Sequence, residues 1–191
     1  MPLSFSAPRV GRAGNGRGVN ERQEADMNIR RFIGIEGLNG SGKTTALKML
    51  SEMLVKQKGG IIRFLFSKRG SALKTATFPP TMEDYIIVIE VVGKIVVIAT
   101  GGDDWWVPEI AVKAIASISI EVDVFIAAIR KAVRTKRKYP SVRDGYCRLL
   151  GSCPKQFLTK DREVGRDSVT ADCFADANAE FVQRLMEEIK K

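Results

Sequence analysis

The apolar residues of this chain follow two alternating patterns. Short, nearly continuous apolar runs are typical of strands that are buried on both faces of a parallel sheet, and apolar residues at every third or fourth position are typical of helices that cover it. The runs predict strands at residues 30–36, 61–66, 85–92, 94–100, 122–129 and 156–159. The helical spacing predicts a helix after residue 44, a helix at about residues 108–120 and a last helix at residues 170–191. This alternation predicts a three-layer α/β fold with a mostly parallel sheet.

One pair of strands departs from the parallel pattern. The runs at residues 85–92 and 94–100 are separated by little more than Gly93, which is too short for a helical crossover. We therefore expect an antiparallel hairpin at this point. The polar stretch at residues 67–82 is predicted to be a loop, and residues 134–143 are too highly charged to be assigned.

The loop between the first strand and the first helix carries the most specific motif. Residues 37–44 read GLNGSGKT and match the P-loop pattern GxxxxGK[ST]. In such a loop the backbone N–H groups turn towards phosphates, the lysine reaches the outer phosphate oxygens and the hydroxyl coordinates Mg²⁺. The motif predicts catalytic Lys43 and metal-binding Thr44 within a phosphate site of Gly37, Asn39, Gly40, Ser41, Gly42, Lys43, Thr44 and Thr45.

Phosphoryl chemistry also needs an acidic group near Mg²⁺, usually at the carboxyl end of a neighbouring strand. Asp103 and Asp104 follow an apolar run and resemble the acid of a Walker B motif, while Glu90 follows the run before it. We expect Asp103 to be a metal ligand and a catalytic residue, with Asp104 and Glu90 as alternatives. A Gly-Gly-Asp-Asp sequence is also ordinary turn chemistry, which is the competing interpretation.

Three residues beside these motifs have both a structural and a functional interpretation. Glu36 directly precedes the loop, where it would either hold the loop or contact a second small-molecule substrate. Trp105 and Trp106 would either stack on a base or cover the edge of the core.

The Asn/Thr-Lys-x-Asp signature of guanine recognition does not occur in the sequence, which favours ATP over GTP.

The composition argues against a disulfide-stabilised, zinc-binding or membrane-spanning protein. The 191 residues fit one domain, and three cysteines without any histidine argue against a disulfide framework and a Cys/His zinc site. The sparse and odd set of cysteines favours the reducing cytoplasm. The apolar runs are much shorter than the roughly 20 residues of a membrane span, so we expect no membrane partner. Residues 1–28 are rich in glycine and arginine and show no periodicity, which predicts a disordered tail before a domain at residues 29–191.

The positive charge is concentrated in one segment. The formal net charge is +9, and residues 129–166 hold an excess of lysine and arginine that accounts for all of it. Such a segment is a solvated face, a lid that faces an anion, or a contact for nucleic acid. In the lid interpretation Arg130 is a catalytic residue, and the other cations that could reach phosphate are Lys131, Arg134, Arg162 and Arg166.

Two resemblances extend these expectations. Residues 32–45, FIGIEGLNGSGKTT, resemble the opening of thymidylate kinase and related nucleoside monophosphate kinases. A longer resemblance, from this loop through residues 96–103 and 122–130 to the last helix, is to small P-loop ATPase-like proteins. This resemblance implies ATP and Mg²⁺ as ligands, and it assigns to the site Gly37, Gly42, Lys43, Thr44, Asp103 and Arg130.

We therefore expect an ATP-binding P-loop NTPase that cleaves or transfers the γ-phosphoryl group with the help of Mg²⁺. A nucleotide or small-metabolite kinase is one alternative. A nucleotide-dependent module that binds nucleic acid or protein through residues 129–166, with little turnover, is the other.

Overall fold

The computed structural model describes residues 28–73, 84–131, 141–160 and 171–191, with side chains in the last range from residue 175 onwards. Nearly all of the predicted N-terminal tail, the end of the loop before residue 84, and Arg134, Arg162 and Arg166 lie outside these ranges. Strands and helices follow one another as β1 (Phe32–Gly37), α1 (Lys43–Lys56), β2 (Ile61–Ser67), β3 (Tyr85–Val91), β4 (Lys94–Ala99), α2 (Val107–Ser117), β5 (Val124–Arg130), α3 (Val142–Leu149), β6 (Lys155–Thr159) and α4 (Ala171–Lys190).

The described strands form one sheet in the order β2-β3-β4-β5-β1-β6. β4, β5, β1 and β6 are parallel, whereas β3 is antiparallel to both β2 and β4. The α/β class with a mostly parallel sheet and the antiparallel hairpin of β3 and β4 are thus confirmed. Because the parallel strands run the same way, their carboxyl ends meet at one edge, which we call the carboxyl edge. β3 begins at this edge and ends at the opposite, amino edge.

Helices cover both faces of the sheet, because successive residues of a buried strand point to opposite faces. On one face α1 and α4 pack against a core that includes Ile33, Ile87 and Ile126. On the other face α2 and α3 pack against Phe32 and Phe125. The result is three layers. Within the part of the chain that the structure describes, no helix has the length and apolar character needed to cross a membrane.

α3 was not predicted from the sequence. Its first turn is capped by Ser141, whose Oγ accepts a hydrogen bond of 3.1 Å from the backbone N–H of Asp144. Val142, Tyr146 and Leu150 follow at intervals of four residues and are buried against the sheet. The charged residues between them hid this spacing in the sequence.

The other predicted elements differ from the observed ones mainly at their ends. β1 begins at Phe32 and not at residue 30, and α2 ends at Ser117 and not at residue 120. Val122, predicted to open β5, instead forms an isolated bridge with Ile29, and β5 begins two residues later.

Candidate functional site

A cleft of about 260 Å³ opens at the carboxyl edge, where β1 leads into α1. Three separate segments of the chain form its wall: the loop and first turn after β1, the loop after β4, and the end of β5. The lining residues are Asn39, Gly40, Ser41, Gly42, Lys43, Thr44, Thr45, Gly102, Asp103 and Ala128. All but one of the predicted phosphate-binding residues therefore line a single cleft, together with Asp103.

The loop at residues 37–42 reaches the helix through two left-handed glycines. Gly40 has φ 76° and Gly42 has φ 80°, a backbone conformation that side chains other than glycine seldom adopt. Gly42 is also the N-cap of α1. The first N–H groups of a helix have no partner within it and carry the positive end of its dipole. The cleft is therefore suited to an anion.

Gly37, the remaining predicted residue, lies at the base of the loop and not on the wall of the cleft. Its carbonyl accepts a hydrogen bond of 2.9 Å from the N–H of Lys131. A Cβ at this position would lie 2.5 Å from the carbonyl oxygen of Lys160. The residue after β5 and the residue after β6 thus enclose the base of the loop, and only glycine fits there.

Lys43 is almost fully enclosed by this loop. The residue is 6% exposed, and its Nζ donates to the carbonyls of Gly37 at 3.0 Å and Leu38 at 2.8 Å and to Ser41 Oγ at 3.4 Å. The ammonium group is thereby held in the turn that it is predicted to share with phosphate.

The charges around Lys43 connect the three predicted catalytic residues. Burial lowers the pKa of Lys43, the Asp103 carboxylate acts against this shift, and the Arg130 guanidinium adds to it. Asp103 and Arg130 are therefore close enough to Lys43 for their charges to act on it, although they lie 60 and more positions away in the sequence.

Thr44 is oriented by a hydrogen bond that crosses to β4. Its Oγ1 donates to the carbonyl oxygen of Thr100, the residue that follows β4, at 3.1 Å. Because the only proton of the hydroxyl is used in this bond, the oxygen lone pairs are free to bind a cation. Asp103, three residues beyond Thr100, lines the same cleft.

The cleft wall offers oxygen donors of the kind that Mg²⁺ uses. Among the described residues no group of three or more His, Cys, Asp or Glu side chains could hold a metal ion. Mg²⁺ commonly takes one or two protein oxygens and completes its octahedron with water and phosphate oxygens. One hydroxyl and one carboxylate on the cleft wall match this chemistry.

The alternative acids lie elsewhere. Asp104 is turned to Lys68, whose Nζ is 3.4 Å from its carboxylate. Glu90 as an alternative metal ligand is wrong, because β3 is antiparallel and its last residues lie at the amino edge. There Glu90 pairs with Ile95 across the sheet, and its carboxylate forms an ion pair with Arg63.

No family model, no curated protein and no solved structure matches the chain.

Asp84 and Lys68 are the site neighbours that the sequence interpretation missed. Asp84 Oδ1 is 3.5 Å from Thr100 Oγ1, and Lys68 Nζ is 3.8 Å from Asp84 Oδ2. A signal for Asp84 was present, since an acid directly before the first strand of the predicted hairpin must lie at the carboxyl edge beside the end of the second strand. Nothing in the sequence indicated Lys68.

Glu36 and the tryptophans have structural contacts. Glu36 points to the face covered by α3 and forms an ion pair of 3.0 Å with Arg143, whose guanidinium lies 4.1 Å from the centre of the Phe157 ring. Trp106 is the N-cap of α2, and Trp105 is 44% exposed. Neither tryptophan is among the residues that line the cleft.

The described residues on either side of positions 132–140 of the basic segment lie at the carboxyl edge. Arg130 ends β5 and its N–H donates to the carbonyl of Gly102 at 3.0 Å, and Arg143 lies in the first turn of α3. Residues 132–140 and 161–166 of the predicted lid lie outside the described part.

Proposed function

We propose that the chain binds ATP with Mg²⁺ in this cleft and cleaves or transfers its γ-phosphoryl group. One observation carries the proposal. A helix N-terminus, two left-handed glycines, a buried lysine and a hydroxyl with free lone pairs meet a carboxylate in a single cleft. Each is a group that binds phosphate or the magnesium ion that accompanies it.

Each residue of the cleft is assigned a role from its position. The N–H groups at the start of α1 hold the phosphate chain, and Lys43 supports its outer oxygens from within the loop. Thr44 and Asp103 would hold Mg²⁺, which when bound neutralises charge on the phosphate oxygens. Arg130, whose charge acts on Lys43 from the end of β5, stabilises the negative charge that develops on the phosphoryl group during transfer.

The first test is nucleotide binding by Lys43→Met, which keeps the length of the side chain and removes its charge. The loss of a charge-assisted contact is expected to weaken binding of a non-hydrolysable ATP analogue by roughly ten- to a hundredfold, measured by calorimetry. Lys56→Met is the matched control, because Lys56 lies on the last turn of the same helix and pairs with Glu52 on its surface. Equal affinity in Lys43→Met and wild type, or no binding by the wild type, would contradict the proposal.

The phosphoryl acceptor is identified by product analysis. Release of inorganic phosphate without an added acceptor indicates an ATPase, and a phosphorylated nucleotide or small metabolite in an acceptor screen indicates a kinase. The same assay with added DNA or RNA tests the third possibility, a binding module with little turnover.

A further inference from the structure

The loop that presents Asp103 is attached to the sheet through the residues that precede Asp103. Thr100 exchanges two hydrogen bonds with Tyr85 of β3: its N–H donates to the carbonyl at 3.0 Å, and its Oγ1 accepts from the N–H at 2.9 Å. The carbonyl of Gly102 accepts from Arg130 of β5. These bonds fix the start of the loop but do not reach the residues that follow Asp103.

Lys68 contacts the part of the loop that follows Asp103. Its ammonium group lies 3.4 Å from the carboxylate of Asp104 and 3.8 Å from that of Asp84, and it is 5.8 Å from the centre of the Trp106 ring. Asp84 in turn packs beside Gly101, where a Cβ would come within 3.4 Å of its carboxyl carbon. Lys68 thus links Asp104, the residue after Asp103, to Asp84, which contacts the start of the same loop.

Lys68 differs from an ordinary surface lysine because its backbone is held in a closed turn. The N–H of Gly70 donates to the carbonyl of Ser67 at 2.8 Å, and the N–H of Ser67 donates to the carbonyl of Ser71 at 2.9 Å. Gly70 has φ 82°, which lets the chain reverse at once. The turn fixes the point from which the Lys68 side chain extends.

We propose that Lys68 is a positioning residue of the metal site: by binding Asp84 and Asp104 it holds residues 100–104 so that Asp103 faces Thr44. This inference rests on the proposed function, since it concerns Mg²⁺ bound with nucleotide in the same cleft. Lys68 contacts neither ligand and acts through the loop.

The direction in which Mg²⁺ affinity changes when Lys68 is removed distinguishes a positioning role from a purely electrostatic one. Removing Lys68 takes away a positive charge and releases two carboxylates near the site, which by charge alone would make Mg²⁺ bind more tightly. If Lys68 instead positions Asp103, its removal weakens Mg²⁺ binding despite the favourable change in charge.

The experiment measures the affinity of a fluorescent ATP analogue as Mg²⁺ is varied, for the wild type and Lys68→Met. We expect the Mg²⁺ concentration at half-saturation to rise about tenfold, as is typical for outer-shell partners of metal ligands, with unchanged affinity for the analogue in EDTA. Arg63→Met is the control, because Arg63 lies on β2, the strand that leads to Lys68, and pairs with Glu90 at the amino edge. Lys68→Arg, which keeps both ion pairs available, should restore the wild-type value.

The possible outcomes are distinct. An unchanged or lower half-saturating Mg²⁺ concentration in Lys68→Met, or an equal rise in Arg63→Met, overturns the positioning role and leaves the proposed function standing. A wild type that binds no nucleotide at any Mg²⁺ concentration overturns both. Thermal unfolding of the two variants shows whether a loss of fold contributes, and Lys68→Arg then decides the result.

Discussion

At the scale of single residues, Lys43 and Asp103 depend on each other. Burial lowers the pKa of Lys43, and the negative charge of Asp103 partly restores it. Asp103 therefore has two effects in the proposed site, since it offers an oxygen to Mg²⁺ and helps to keep Lys43 protonated.

Asp103→Asn is expected to lower Mg²⁺-dependent turnover by about ten- to a hundredfold and to leave nucleotide binding in EDTA nearly unchanged. Without the carboxylate the pKa of Lys43 falls further, so the loss of turnover at alkaline pH should begin at a lower pH than in the wild type. Steady-state kinetics over a pH series measure both effects. Glu90→Gln serves as the control and should behave as the wild type, because Glu90 lies at the amino edge; if it alone stopped turnover, the assignment of the acid would be wrong.

Tyr146 is a residue whose polar group does not help the fold. The ring packs against Phe32 at 5.0 Å and Phe125 at 5.6 Å, but the hydroxyl is buried with no hydrogen-bond partner among the described residues. Such a group costs roughly 1–3 kcal/mol, so Tyr146→Phe should raise the free energy of unfolding or leave it unchanged.

The same substitution should alter the response to alkali. Burial raises the pKa of Tyr146 above its usual value of 10.0, so above that pH the unfolded chain loses the proton and the folded chain keeps it. Stability then falls as pH rises, and Tyr146→Phe should make the fall shallower. Urea unfolding at pH 7 and pH 10.5 tests this, and a steeper fall in the variant would contradict it.

At the scale of elements, the hairpin of β3 and β4 contains a strained residue. Val92 is β-branched and 89% exposed, yet it has φ 50°, and Gly93 follows with φ 72°. Hairpins of this kind prefer Asn-Gly, because asparagine tolerates the left-handed conformation.

We expect Val92→Asn to stabilise the protein by about 1 kcal/mol, seen as a higher urea midpoint with an unchanged slope. Val92→Thr is the control, because it removes the exposed apolar surface and keeps the branched Cβ. An equal gain in Val92→Thr would show that exposure, and not the backbone angle, limits the stability of the turn.

The elements show what could be read from the sequence and what could not. The buried runs and the hairpin were predicted correctly because a strand buried on both faces has few polar residues and a short connection permits only an antiparallel turn. α3 was missed because arginines interrupt its apolar spacing, although Ser141 and Asp144 form the sequence signature of a helix start.

The candidate site could be predicted only where its residues are adjacent in the sequence. Residues 39–45 line the cleft because a loop and the first turn of a helix place adjacent residues side by side. The choice between Asp103 and Glu90 depended on strand direction, and the contacts of Lys68 depended on which strands are neighbours. Neither property is visible in a local pattern.

At the scale of the whole molecule, the sheet brings the ends of β1, β4 and β5 to one edge, where Arg130 and Lys131, the first cations of the basic segment, also lie. The net charge of +9 is compatible with a solvated face, a phosphate-facing segment or a contact for nucleic acid. Arg130 is the member of this segment that ends a core strand next to the cleft.

Arg130→Ala is expected to lower turnover by about tenfold or more, because a guanidinium beside the transferred group stabilises its charge. Arg148→Ala is the control, since Arg148 lies on the surface of α3 and pairs with Glu109. Binding of single-stranded DNA and RNA by both variants, measured at low and at physiological salt, tests the other interpretation. Unchanged turnover in Arg130→Ala, with nucleic-acid binding that weakens steeply with salt, would favour a binding module.

Two glycines, one below the cleft and one on its wall, allow relatives of this protein to be recognised from their sequences. A Cβ at position 37 would meet the Lys160 carbonyl at 2.5 Å, and one at position 102 would meet the Ala128 carbonyl at 2.3 Å, so backbone atoms exclude every other residue. At Gly59, by contrast, open space surrounds the position and only its φ of 68° favours glycine, a role that asparagine can also fill. Any homologue that keeps this cleft must therefore keep glycine at the first two positions, whereas position 59 can also be asparagine.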